Sequence, residues 1–173
     1  MTSHFTSTGN QMEIIIRPVE EKDNRLLANM IRQVFLEHDA PQQGTVFSDP
    51  STDDLFTLFQ TEQSALWVAE WKGIPVGCCG IFPSPGLDAG YAELVKFYLS
   101  KEARGKGIGL ALMQQSIDSA KKMGYNWLYL ESLPHFAKAV SIYEKQGFVR
   151  LSQPLGKSIH TSCNIWMVME ISK

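Results

Sequence analysis

The chain predicts an α/β (α+β) domain, with a mixed, mostly antiparallel seven-stranded sheet flanked by about four helices. Three observations carry this. Short apolar or alternating runs recur along the chain, among them Ala65 to Trp71, Ile74 to Phe82 and Tyr91 to Leu99. Two long segments carry apolar residues at three- and four-residue steps, Leu26 to Phe35 and Leu110 to Met123. Only a tight Lys72-Gly73 connection separates two of the extended runs, which suits an antiparallel hairpin.

With 173 residues, 44% of them hydrophobic, the chain reads as one domain large enough to bury a substantial core. Its net charge of −2 gives no electrostatic reason to expect nucleic acid or a membrane surface as partner. Met1 to Gln11 is polar and rich in Ser and Thr, without a basic start or an apolar stretch. It is expected to be a disordered tail, neither signal peptide nor anchor, ahead of a single domain over 12–173. Cys78, Cys79 and Cys163 form no C-x-x-C pair, and neighbours on a strand point to opposite faces. A disulfide framework is therefore not expected, and a reducing cytoplasm is the expected location.

Taken in order, Ile14 to Ile16 predicts a buried first strand, which Arg17-Pro18 ends before Glu20 to Asp23 opens a helix running to about Glu37. His38 to Pro50, with Pro41, Gly44 and Pro50, lacks a period and predicts a loop; Thr52 to Phe59 predicts a short second helix. The hairpin over 65–82 follows, and Pro83 to Gly86 breaks the chain before the fourth strand, Tyr91 to Leu99. A third helix is expected at about Gly107 to Met123, a fifth strand at Trp127 to Glu131 and a fourth helix at about Phe136 to Gln146. Phe148 to Leu151 and Cys163 to Ile171 are expected to pair as closing strands, with helices on both faces of the sheet.

The junction between the fourth strand and third helix carries the chemistry. Arg104-Gly105-Lys106-Gly107-Ile108-Gly109, followed by Leu110, is a glycine-punctuated turn that delivers free amides to one point at a helix N-terminus. Such amides bind anions, and the missing Cβ atoms let a phosphate approach closely. A dinucleotide fingerprint starting at Gly105 needs glycine where Leu110 stands, and a Walker loop needs a Gly-Lys-Ser/Thr that the chain lacks here. Lys96, Lys101, Arg104 and Lys106 gather around the turn, either to meet phosphates or as solvated charges.

What remains is R-x-x-G-x-G behind a strand, and this resembles the acyl-CoA loop of the GNAT superfamily of N-acetyltransferases. A second signature agrees with it in order and separation: Ala139 to Phe148, a helix bearing Tyr143 and closed by Gly147-Phe148. The resemblance implies the GNAT fold, acetyl-CoA as co-substrate with no metal, and an amine as acceptor, in a monomer or homodimer. It also implies that the fourth strand bends away from the fifth beside Phe97, Tyr98 and Leu99, freeing backbone groups for pantetheine amides. Where many members have asparagine, seven residues before the tyrosine, this chain has Phe136.

Acetyl transfer to an amine needs a neutral nitrogen, an oxyanion site and a proton for the departing thiolate. A lysine-type ammonium, with pKa about 10.4, is neutral in roughly one molecule per thousand at neutral pH, so a base helps. Glu93 is the leading candidate: in a regular strand it shares a face with Val95, Phe97 and Leu99, apolar neighbours that raise a carboxyl pKa. The alternative is an exposed strand-end glutamate. Tyr143 falls on one helical stripe with Phe136, Ala139 and Val140 and points inward. By resemblance it protonates the leaving sulfur; otherwise it is a core tyrosine. His160 and Cys163 lack the companions a zinc site needs and are expected to be structural, and Trp67, Trp71, Trp127 and Trp166 to be packing residues, some of them candidates for an acceptor pocket. A CoA-binding sensor without catalysis and a protein acetyltransferase remain as rival readings.

Overall fold

Eight strands build the sheet of the computed structural model, which describes residues 2–6 and 13–172. In chain order they are β1 (Ser3–Thr6), β2 (Glu13–Pro18), β3 (Ala65–Trp71), β4 (Ile74–Phe82), β5 (Tyr91–Leu99), β6 (Trp127–Ser132), β7 (Val149–Leu151) and β8 (Ile165–Glu170). The spatial order is β1-β2-β3-β4-β5-β6-β8-β7. Every neighbouring pair is antiparallel except β5 and β6, whose parallel pairing requires the crossover helix α3 (Ile108–Lys122). Lys72 and Gly73 both have positive φ, 50° and 80°, the backbone that matches a two-residue hairpin to strand twist.

The expected count of seven strands falls one short. Ser3–Thr6, expected within a disordered tail, pair antiparallel with β2 from Ser3↔Ile16 to Thr6↔Glu13. An unpaired edge of β2 would expose a row of amides and carbonyls, and β1 satisfies them. Residues 1 and 7–11 of that expected tail lie outside the described residues.

The sheet has a core on each face because its strands alternate. Trp67, Ala69, Cys79 and Ile81 pack on one side with Ile108, Leu112 and Met113 of α3 and with Val140 and Tyr143 of α4 (Ala137–Gln146). Leu66, Val68 and Cys78 face the other way, onto Leu27, Ile31 and Phe35 of α1 (Asn24–Glu37) and Leu55 of α2 (Leu55–Leu58). Cys78 and Cys79 thus lie in opposite cores, both as free thiols. Leu26, counted in the apolar stripe of α1, is 44% exposed and lies off it.

The start of α1 is held by a buried charge cluster. Arg17 donates to Asp23 through both terminal nitrogens, at 2.7 and 2.9 Å, and through Nε to Glu70 at 2.7 Å. Asp23 also accepts from the Glu20 amide at 2.8 Å, so the carboxylate closes the turn that opens the helix. Among the described residues no helix is long and apolar enough to cross a membrane.

Candidate active site

At the glycine turn, Gly105 and Gly107 adopt φ of 72° and 78°, which only glycine adopts readily, and Gly107 caps α3. Ala111 donates to the Gly107 carbonyl, whereas the amides of residues 105–110 meet no protein acceptor among the described residues. They are the orphan donors of a helix start, left open. Gly109 is glycine for a different reason: a Cβ there would stand 2.9 Å from Leu99 Cδ1 and 3.1 Å from Phe97 Cζ, so its absence seats α3 against β5. Ile108 is fully buried beneath the turn and Leu110 is largely exposed. Arg104 folds back, donating to the Leu99 carbonyl at 3.0 Å and to Glu37 at 2.6 Å, and Lys106 donates to the Glu102 carbonyl.

Beside this turn the sheet splits. β5 and β6 pair only at Tyr91↔Trp127, Ala92↔Leu128 and Glu93↔Tyr129, and from Leu94 onward β5 has no strand partner on that side among the described residues. On its other side, β5 pairs Val95 with Gly80 and Tyr98 with Cys78, so Lys96 and Phe97 together oppose the single residue Cys79. That is a bulge, and Lys96 absorbs it with φ of 55°. The extra residue reverses the facing of everything beyond it. Val95 and Tyr98 pack with α1, while Phe97 and Leu99 pack with α3. The expectation that Glu93, Val95, Phe97 and Leu99 share one face therefore fails after Val95.

A cavity of about 790 Å³ fills the split, in the size range of small-ligand sites. Phe97, Tyr98, Leu99, Arg104 and Gly105 line its turn end; Glu93, Lys96, Glu131 and Tyr143 line its interior. Burial raises the Glu93 carboxyl to about 7, against the hydrogen bond that Ser84 donates to it; nearby Glu131 raises it further. Glu131 accepts from the Tyr129 hydroxyl at 2.8 Å through Oε1, while its Oε2 is buried without a partner. Tyr143 is 6% exposed, its ring 5.7 Å from Phe97 and 5.8 Å from Phe148. Its burial pushes the phenol above its ordinary value, and no protein group bonds its hydroxyl among the described residues.

Phe136 precedes α4 with φ −100° and ψ 44°, outside the helix and off the stripe that carries Ala139, Val140 and Tyr143. It belongs to the other core, in an aromatic wall with Phe35 at 5.2 Å, His38 at 5.5 Å and Tyr98 at 6.2 Å. Lys96 does not join the basic residues of the turn: it is buried within the cavity. None of the four tryptophans lines that cavity.

Several contacts at the site carried no signal in sequence. His160 Nε2 lies 3.0 Å from Asp49 Oδ2, joining the 152–164 connection to the 38–50 loop over the cavity. Burial raises the Asp49 carboxyl, but hydrogen bonds from His160 and Ser51 outweigh it and hold the group below its ordinary value. Ser162 fastens the same two segments through Gln43 at 2.8 Å. Ser84 and Glu131 also went unread in their contacts with Glu93. Cys163 lines the cavity, and burial lifts its thiol to about 12, which keeps it protonated and unreactive at neutral pH. Among the described residues no group of three or more His, Cys, Asp and Glu is placed to hold a metal.

Comparison with known proteins agrees with this geometry. The chain is 32% identical to the uncharacterized N-acetyltransferase YjgM of Escherichia coli (strain K12), over 91% of this chain and 95% of that one. The fold is shared with an acetyltransferase of the GNAT family from Staphylococcus aureus Mu50 (TM-score 0.78, 19% identity, 91% of this chain and 99% of that one). It is also shared with a GNAT superfamily phosphinothricin acetyltransferase from Sinorhizobium meliloti in complex with AcCoA (TM-score 0.71, 19% identity, 90% and 86%). The model of the acetyltransferase (GNAT) family matches residues 32–148, a span that holds the glycine turn, the parted strands and Tyr143, and the chain belongs to that family of acetyltransferases.

Proposed function

We propose that the protein transfers the acetyl group of acetyl-CoA to a primary amine of a small molecule by direct attack, with Glu93 as base and Tyr143 as acid. The parting of β5 from β6 carries this reading, because it leads from the open amides of 105–110 to a cavity holding both groups. The amides, with Gly105, Gly107 and Gly109, hold the diphosphate; Phe97, Tyr98 and Leu99 offer free backbone to the pantetheine arm. Arg104 shapes the turn through its bonds to Leu99 and Glu37 more than it meets phosphate. The Sinorhizobium meliloti relative, solved with AcCoA, supports the choice of co-substrate.

Glu93, poised near 7, takes the proton from the acceptor ammonium at neutral pH. The freed nitrogen attacks the thioester carbonyl, a C–N bond forms, and the C–S bond breaks as the tetrahedral centre collapses. Tyr143, kept protonated by burial, donates a hydrogen bond to the departing sulfur and then its proton. The second proton that the nitrogen sheds as the amide forms restores the phenol, while Glu93 releases its proton to solvent. The Asp49–His160 and Gln43–Ser162 links cover the acceptor side with two loops, which favours a small acceptor over a protein chain.

A panel of primary amines assayed with acetyl-CoA by free-thiol release tests the reading. Turnover is expected for the parent, with kcat lowered about 100-fold or more in Tyr143→Phe and acetyl-CoA affinity nearly unchanged by calorimetry. Tight acetyl-CoA binding with no thiol release from any amine would make the protein a CoA-binding sensor instead.

A further inference from the structure

Once Glu93 and Tyr143 have roles, the cavity still holds one buried ammonium and one buried carboxylate oxygen without hydrogen-bond partners among the described residues. Lys96 is 7% exposed and lines the cavity, yet no hydrogen bond or ion pair engages its ammonium among the described residues. A buried, unpaired ammonium is costly, so burial holds the Lys96 amine below its ordinary value and an anion beside it would keep it charged. The residue also sits in the left-handed region at the bulge, a strain that asparagine or glycine would relieve. Asp49 lies within electrostatic reach but is committed to His160. Glu131, within electrostatic reach of Glu93, keeps its Oε2 buried with no donor among the described residues.

We propose that the acceptor is an amino acid with an apolar side chain, whose carboxylate pairs with Lys96 and whose amine end is drawn to Glu131 beside Glu93. This rests on the acetyltransferase reading and names its substrate class. Lys96 and Glu93 are three residues apart on one strand, within about 10 Å of backbone, so one small zwitterion spans both with the lysine stem adjusting. The aromatic wall of Phe35, Tyr98 and Phe136 receives the side chain. A simple amine would leave Lys96 buried and unpaired.

Matched pairs decide the matter: phenylalanine against phenethylamine, and leucine against isoamylamine, assayed by thiol release with acetyl-CoA. The amino acid of each pair is expected to show the higher kcat/KM, by about tenfold or more, and Lys96→Met to cut that ratio by a similar factor. Lys96→Asn, which tolerates the left-handed backbone, serves if Lys96→Met does not fold. Calorimetry of the same ligands on the parent–CoA complex reads binding apart from turnover. Binding of the amino acids that depends on Lys96, without thiol release, would keep the inference and remove the acetyltransferase reading. Thiol release that favours the decarboxylated amines, or a ratio unmoved by both variants, would overturn the inference and leave that reading standing. Failure of the amino acids to bind or react overturns the inference as well.

Discussion

His160 and Asp49 meet at 3.0 Å although they stand 111 positions apart in the chain, and their contact joins two irregular loops at the lining of the cavity. The two side chains are largely buried, 20% and 10% exposed, so the contact is shielded from solvent. His160→Ala is expected to raise the KM for the acceptor about three- to tenfold while acetyl-CoA affinity changes less than twofold. Steady-state kinetics with each substrate varied in turn checks this.

Glu93 predicts a pH dependence with a definite sign. Its carboxyl is raised from an ordinary 4.5 to about 7, so the base form, and with it kcat/KM, should grow as pH rises through about 7. Glu93→Gln should lower kcat/KM about 100-fold or more and flatten that limb. Stability moves oppositely. A raised carboxyl favours the folded state below its unfolded value and loses that contribution as pH rises from about 4.5 to 7. Glu93→Gln should therefore match the parent near pH 4 and exceed it at pH 8, on the order of 1–3 kcal/mol in urea unfolding.

Gly107→Glu places a side chain and a negative charge at the helix start. Acetyl-CoA affinity should fall on the order of 100-fold by calorimetry, while the left-handed backbone costs about 1–2 kcal/mol of stability. Gly73→Ala is the control: its φ is 80° and nothing lies within 4 Å of the added carbon, so it bears the backbone strain far from the site. It should lose stability and keep acetyl-CoA affinity.

Asp23→Ala takes from the buried Arg17 guanidinium its two-pronged partner, leaving it Glu70, and should destabilise the protein by about 1–3 kcal/mol. Burial raises the Asp23 carboxyl, but hydrogen bonds from Arg17 and the Glu20 amide outweigh it and hold the group below its ordinary value. Its contribution is present above the unfolded carboxyl value and is lost as pH falls below it. The gap between parent and Asp23→Ala in urea unfolding should narrow towards pH 2.

The order of strands β2 to β8 and of the helices, the hairpin at Lys72-Gly73, the glycine turn with its open amides and the inward Tyr143 were legible in the residues. Each rests on local signals: a period of two or of 3.6, or a glycine where only glycine fits. Besides the polar start that pairs as β1, two periodic readings broke at one place each. A period of two is projected through Lys96 because nothing about a lysine announces positive φ, yet the pairing of Val95 with Gly80 and Tyr98 with Cys78 leaves one residue too many. The helical stripe was likewise carried back to Phe136, whose backbone has already left the helix.

Composition and periodicity by themselves determined strands β2 to β8, the helices and the glycine turn, because those depend on neighbours along the chain. Tertiary structure alone decided which face Phe97 and Leu99 take, that Lys96 enters the cavity and stands apart from the glycine turn, and that Asp49 meets His160. Those outcomes depend on register against β4 and on the closure of distant loops, and such contacts between segments far apart in the chain leave no trace in local pattern.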